Sequence, residues 1–234
     1  MELEEFIEGL RNRADESHRA KLLNYGIPNE HALGVRMPDL RDYVKPFRGD
    51  AKLSLELFAS DYHEAKLAAG LIFPAKDLSL DQADRFMEGF YSWDLVDQFC
   101  GSLFQKASFA LELPFLWAPL PGEFQRRSGL VMILAISIHH KKMADKELLT
   151  YLPLVKEYMF DDRNFVKKAN SWVLRTLGKR SPYLNEEIRN YIAANWQSPD
   201  GKFETWAAND AWKELNDPKI LERIEKQAAR RRKS

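Results

Sequence analysis

The sequence predicts an all-α chain built from stacked helical pairs, and three observations carry that prediction. Glycine and proline are sparse, eleven of each in 234 residues. The stretches between them carry apolar residues at three- and four-residue spacing rather than in strict alternation, which is the periodicity of amphipathic helices. Four segments, beginning Tyr62-His-Glu-Ala-Lys-Leu, Trp93-Asp-Leu-Val-Asp, Phe124-Gln-Arg-Arg-Ser-Gly and Phe165-Val-Lys-Lys-Ala-Asn, share an aromatic start, a polar turn and an apolar run. Their starts lie 31, 31 and 41 residues apart. Helical pairs recurring at such intervals cannot bury their apolar faces alone, so they stack into a curved solenoid whose inner helices line a concave surface. A generic helical bundle is the alternative.

In chain order the periodicity predicts helices over 2–13, 38–47, 51–58, 62–75, 79–90, 93–104, 123–139, 146–158, 162–180, 184–195 and 217–231. Pro38 suits a first helical position, because its missing N–H is not needed there. Asp61 and Ser79 suit N-caps, and Gly49 and Gly201 suit chain breaks.

A hydrophobic content of 45% in a chain of this length fits one domain spanning residues 1–234, ending in a basic tail over 230–234. Cys100 is the only cysteine, and the histidines at 18, 31, 63, 139 and 140 have no ligand-like spacing, so neither a disulfide framework nor a metal is expected. The N-terminus is acidic around Leu3 and Phe6, and no window reaches about eighteen consecutive apolar residues, which disfavours secretion and membrane spanning. Lys+Arg and Asp+Glu are both 35, so the whole-molecule field makes no case for a polyanionic partner, and any such case rests on local charge.

The most informative local charge lies between Asp162 and Arg180. A wheel at about 100° per residue puts Val166, Ala169, Val173, Leu174 and Leu177 on one arc. Lys168, Trp172, Arg175 and Lys179 fall together on the opposite side, a tryptophan inside a basic stripe. Such a stripe neutralises phosphates while its indole stacks on a nucleotide; alternatively, Trp172 packs against a neighbouring helix and the cations form a solvated face.

Trp93 and Asp97 stand one turn apart on one helix face, at the shoulder of a buried arc of Leu95, Val96, Phe99 and Leu103. Here a carboxylate stands beside an indole at a place that reaches a cleft. In the alternative, Trp93 seals the core edge and Asp97 caps a helix or pairs with an arginine. Of Arg126 and Arg127, which point about 100° apart, at most one faces the same cleft as Trp172.

Taken in order, Gly34-Val-Arg-Met-Pro-Asp-Leu-Arg41, Tyr62-His-Glu-Ala-Lys-Leu-Ala-Ala69, Ser92-Trp-Asp-Leu-Val-Asp97, Gln125-Arg-Arg127 and Phe165-Val-Lys-Lys-Ala-Asn-Ser-Trp-Val-Leu-Arg175 resemble the landmark segments of the AlkD family of DNA alkylation repair glycosylases. The similarity covers about residues 20–180. It implies a HEAT-like helical-repeat solenoid that holds duplex DNA in a concave groove and hydrolyses the N-glycosidic bond of cationic lesions such as 3-methyladenine and 7-methylguanine. It also implies no metal or organic cofactor. A monomer is the default for a solenoid of this length, and action in the cytoplasm on nucleoid DNA is expected. By position, Asp97 matches the family's catalytic carboxylate, Trp93 and Trp172 its cleft tryptophans, Arg127 a nearby arginine and Arg175 a DNA-contacting arginine. Lys168, Lys179 and Arg36 are the further DNA contacts expected. The tail Arg230-Arg-Arg-Lys233 has no counterpart in that pattern.

The chemistry follows from the lesion. A cationic base is already a good leaving group, so its departure builds positive charge on the deoxyribose. A carboxylate at Asp97 stabilises that charge and orients the attacking water. The tryptophans add cation–π attraction of about 0.5–2 kcal/mol each, and Arg127 holds a flanking phosphate. No lysine stands in this set to form a Schiff base, so a monofunctional enzyme without lyase activity is expected. The resemblance implies that the lesion stays largely stacked, unlike the flipped base of most glycosylases. Two rivals keep the same fold. A non-catalytic module for damaged or branched DNA predicts salt-sensitive binding without base release, and a protein scaffold predicts no DNA affinity.

Overall fold

The computed structural model describes residues 2–231. Arg232, Lys233 and Ser234, the greater part of the expected basic tail, lie outside the described residues. The chain falls into two compact units, Met1–Ala110 and Leu111–Ser234. Among the described residues the regular structure is helical, apart from an isolated bridge between Gln197 and Phe203, and no helix is long and apolar enough to cross a membrane.

The first unit holds α1 (Leu3–Arg11), α2 (Glu16–Leu22), α3 (Met37–Tyr43), α4 (Ala51–Ala59), α5 (His63–Ile72), α6 (Leu80–Glu88) and α7 (Trp93–Ser102). Start signals are local: Asp50 accepts from the N–H of Leu53 and Ser79 from that of Gln82, while Pro38 sits in the first turn of α3. Asp61 is not the cap of α5; Tyr62 occupies that position, and buried side chains described below tie down the first turn. Helix α5 stops at Ile72 because Phe73 precedes Pro74 and turns extended. The core of α4, α5, α6 and α7 is aromatic. Phe99 lies within 5.0–5.5 Å of the ring centroids of Phe58, Phe86, Phe90 and Phe104, in the tilted and edge-on arrangements that aromatic quadrupoles favour.

The second unit holds α8 (Leu113–Trp117), α9 (Glu123–His139), α10 (Asp145–Leu148), α11 (Leu152–Glu157), α12 (Asn164–Gly178), α13 (Pro182–Trp196), α14 (Trp206–Leu215) and α15 (Pro218–Arg231). The helix expected over 146–158 is broken by a 3-10 turn at Leu149–Tyr151, since Pro153 has no N–H to return to the preceding turn. Helices α9 and α12 pack side by side, with α8 against α9 and both α13 and α14 against α12. At Gly129 the α8–α9 approach leaves no room for a side chain: a Cβ there would lie 2.2 Å from the backbone nitrogen of Ala118. Helices α2, α8 and α14 were not expected from the periodicity.

An ionic knot fastens the start of α9. Asp161 accepts from Arg126 at 2.6 Å and from Arg163 at 2.5 Å, and Arg126 also donates to the carbonyl of Ala118 and lies 4.2 Å over the Tyr158 ring. Hydrogen bonding from Arg163, joined by Arg126 and opposed by burial, lowers the Asp161 pKa to about 2. A depressed carboxylate pKa stabilises the fold above the unfolded value of about 3.9, and the contribution is lost as pH falls toward 2. Asp161→Ala is therefore expected to cost about 2–3 kcal/mol at neutral pH, less than a fully buried pair because both arginines keep some water contact. Urea melts at pH 7 and pH 3 check this, and the difference between variant and wild type should shrink at the lower pH.

Candidate active site

Helix α7 begins at Trp93, and its first turn is fixed by a chain of hydrogen bonds. The hydroxyl of Ser92 donates to Asp94 Oδ1 at 2.6 Å, and the N–H of Leu95 donates to the same oxygen at 3.1 Å. Asp94 Oδ2 meets His63 Nε2 at 2.8 Å, and His63 Nδ1 meets the Tyr91 hydroxyl at 2.8 Å. His63 is 2% exposed. Burial pushes the Asp94 carboxyl up, but the bonds from His63, Ser92 and Leu95 outweigh it and hold the pKa below the usual range. This network locks the turn from which Trp93 and Asp97 project.

Asp97 is partly buried one turn beyond Trp93, so the two stand together as their spacing predicts. Trp93 Nε1 donates to the carbonyl of Tyr25 at 2.9 Å, and its ring packs on a small cluster of Leu22, Ile27 and Ala32. The indole thus sits at the core edge, partly buried, with its nitrogen turned to the Tyr25 segment. Tyr25 itself is 59% exposed. Arg36, expected as a groove contact, is exposed and turned to Asp15 at 2.8 Å.

The segment under Trp93 is held by Glu64, which is 1% exposed. Its carboxylate accepts from the backbone N–H groups of Leu33 (2.9 Å), Gly34 (2.7 Å) and Val35 (3.1 Å), and His63 N donates to the His31 carbonyl at 3.0 Å. Gly34 has a φ of 79°, and a Cβ there would lie 2.1 Å from the Asp15 carbonyl oxygen. His63, Glu64, Asp94 and Tyr25 were all missed from sequence. The usable signal was adjacency: His63-Glu64 open a helix of small apolar residues, and Asp94 follows Trp93 directly.

In the second unit, α12 presents the expected faces. Val166, Ala169, Val173, Leu174 and Leu177 are buried, Trp172 is partly buried, and Lys168 is exposed with its Nζ 5.9 Å from the Phe165 ring centroid. The stripe is not open along its length. Arg175 pairs with Glu214 at 2.7 Å and lies 3.5 Å from Asp210, and Lys179 pairs with Glu214 at 2.5 Å. Both carboxylates come from α14, so two cations placed by the sequence as open phosphate contacts already carry acidic partners. Burial raises the Glu214 pKa, but Lys179 and Arg175 more than offset it and leave it low. Arg127, assigned to a flanking phosphate, is 4% exposed and donates to the Phe165 carbonyl at 2.8 Å, joining α9 to the start of α12. Among the described residues no cluster of three or more His, Cys, Asp or Glu could hold a metal ion.

A family model described as DNA alkylation repair enzyme matches residues 6–215. The chain belongs to the DNA alkylation repair enzyme family. A solved structure from a family described as related to the HEAT-like repeat DNA glycosylases, with affinity for branched DNA structures, superposes with a TM-score of 0.78 at 19% identity. The match covers 94% of this chain and 97% of that one. No curated protein matches the chain. The fold of this DNA alkylation repair family member is thus the all-α HEAT-like repeat fold. Its matched span takes in every candidate residue from Arg36 to Lys179 and reaches Glu214.

Proposed function

We propose that this protein is a monofunctional DNA glycosylase that hydrolyses the N-glycosidic bond of cationic alkylated purines, 3-methyladenine and 7-methylguanine, in duplex DNA. It acts as a monomer on nucleoid DNA in the cytoplasm. The observation that carries the reading is Asp97, a partly exposed carboxylate one turn beyond Trp93 on a helix whose first turn is locked by Asp94 and His63. As the cationic base departs, positive charge grows on the deoxyribose, and Asp97 stabilises it while orienting the attacking water. Trp172 and Lys168 offer an aromatic face and a phosphate contact from α12. Arg127 acts as a positioning residue, holding the carbonyl of Phe165 at the head of that helix. The test is release of free methylated bases from duplex DNA treated with a methylating agent, against an enzyme-free control.

The structural relative's described affinity for branched DNA favours one second reading, a non-catalytic module for damaged or branched DNA. Tight, salt-sensitive binding to a four-way junction with no base release would select it. Either reading uses the α12 cations, which gives a further expectation. Glu214→Gln removes the charge shared by Arg175 and Lys179. The slope of log K against log salt should steepen by about 1–2, with affinity in low salt rising about tenfold. Fluorescence anisotropy across a salt series reads both; an unchanged slope would mean that DNA does not reach this stripe.

A further inference from the structure

At the edge of the α12 stripe, with which it shares only Lys179, the second unit holds a cavity of about 460 Å³ lined by Ser137, Ile138, Lys141, Thr176, Lys179, Arg180 and Gln227. It lies where the C-terminal ends of α9 and α12 meet α15. Three of its seven lining residues are cations. Arg180 forms a fixed positive wall: its Nε donates to Asp145 at 3.1 Å, its Nη2 to the Met143 carbonyl at 2.6 Å, and its Nη1 to the Ser137 carbonyl. Lys179 is paired with Glu214, which it shares with Arg175. Lys141 is exposed and makes no ion pair among the described residues. Three cations thus face two carboxylates, one of them shared elsewhere, and the cavity keeps a positive excess.

The rest of the lining is suited to the remainder of a nucleotide. Ser137, Thr176 and Gln227 bring hydroxyl and carboxamide groups, and Ile138, 46% exposed, gives an apolar wall. The volume exceeds what a phosphate alone needs and lies in the range of small-molecule sites, about 300–1,000 Å³.

We propose that this cavity is a nucleotide site, with Lys141 as the residue that grips the phosphate, Arg180 and Lys179 supplying the surrounding positive field, and Ile138 supporting the base. With the Arg180 N–H groups turned to Asp145 and to backbone carbonyls, Arg180 contributes charge, and the hydrogen bonds to a phosphoryl group come from the Lys141 ammonium. The phosphate belongs either to a free mononucleotide or to the 5′ end of a strand, and the two are separable.

The test is calorimetric titration of the full chain with 2′-deoxyadenosine 5′-monophosphate, with deoxyadenosine as the uncharged control. Saturable binding of the monophosphate alone is expected, weakened about tenfold by Lys141→Ala and largely restored in Lys141→Arg. Competition by a 5′-phosphorylated oligonucleotide, but not by its 5′-hydroxyl form, would assign the site to strand ends; competition by neither would assign it to free nucleotides. No saturation by about 10 mM, equal binding of deoxyadenosine, or a Lys141→Ala affinity equal to wild type would overturn the proposal. The site uses neither Asp97 nor Trp93, so its outcome is independent of base release.

Discussion

Asp97→Asn is expected to slow release of 7-methylguanine from methylated duplex DNA by about 10²–10³-fold, the loss typical of removing one preorganised electrostatic group from a transition state. The substitution keeps the shape of the side chain and removes its charge. Binding to undamaged duplex should stay near wild type, because the α7 start is held by Asp94 rather than by Asp97. The deficit should appear in single-turnover rates at saturating enzyme, where binding no longer contributes. A variant within about threefold of wild type would remove Asp97 from the chemistry, since less than about 0.7 kcal/mol of barrier would then depend on it.

Glu64→Ala is expected to be the most damaging single change to stability in the first unit. It strips the acceptor from three backbone N–H groups in one stroke, those of Leu33, Gly34 and Val35, at a position that is 1% exposed. Buried donors left without partners set the cost at about 3–5 kcal/mol. For a chain of this length that lowers the unfolding midpoint by about 6–20 °C. Glu64→Gln should be milder. Its carboxamide oxygen can still accept from Gly34 and Val35, while its NH2 group faces the N–H of Leu33 and cannot accept. Thermal melts of the two variants separate the effects, and a Glu64→Ala loss below about 1 kcal/mol would show that water replaces the carboxylate.

What could be read from sequence divides along the line between local and long-range physics. Helix α9 was expected over 123–139 and spans Glu123–His139, and the buried arc of α12 follows its wheel residue by residue. Both depend only on spacing along one helix. Helix α14 escaped because Gly201 and the polar run around it read as a break, although Thr205 caps it and Ala207, Ala208, Ala211 and Leu215 make a helical arc. That omission had a functional consequence, since Asp210 and Glu214 of α14 meet the α12 cations. Nothing at positions 168–179 could have announced partners some 35 residues downstream. The locking role of His63 and Glu64 was hidden for a different reason: a histidine and a glutamate at a helix start read as solvent-exposed polar residues, and only tertiary packing buries them against Asp94 and the loop at 33–35. Trp93 and Asp97 were legible as a pair because one helical turn relates them, whereas the seat of Trp93 on Leu22, Ile27 and Ala32 was not.

The crossing at Gly129 reaches beyond this one molecule. With a prospective Cβ 2.2 Å from backbone and 2.9 Å from the Ala118 side chain, no rotamer choice relieves the clash, so even alanine at 129 must push α8 off α9. Residue 129 therefore acts as a marker for descent with this geometry. Relatives carrying glycine there can keep the short α8 tucked against α9, and those carrying anything larger must have rebuilt the segment corresponding to 113–122. A survey of homologous sequences, sorted on this one position, should find insertions, deletions or a changed helix length in that stretch wherever the glycine is gone.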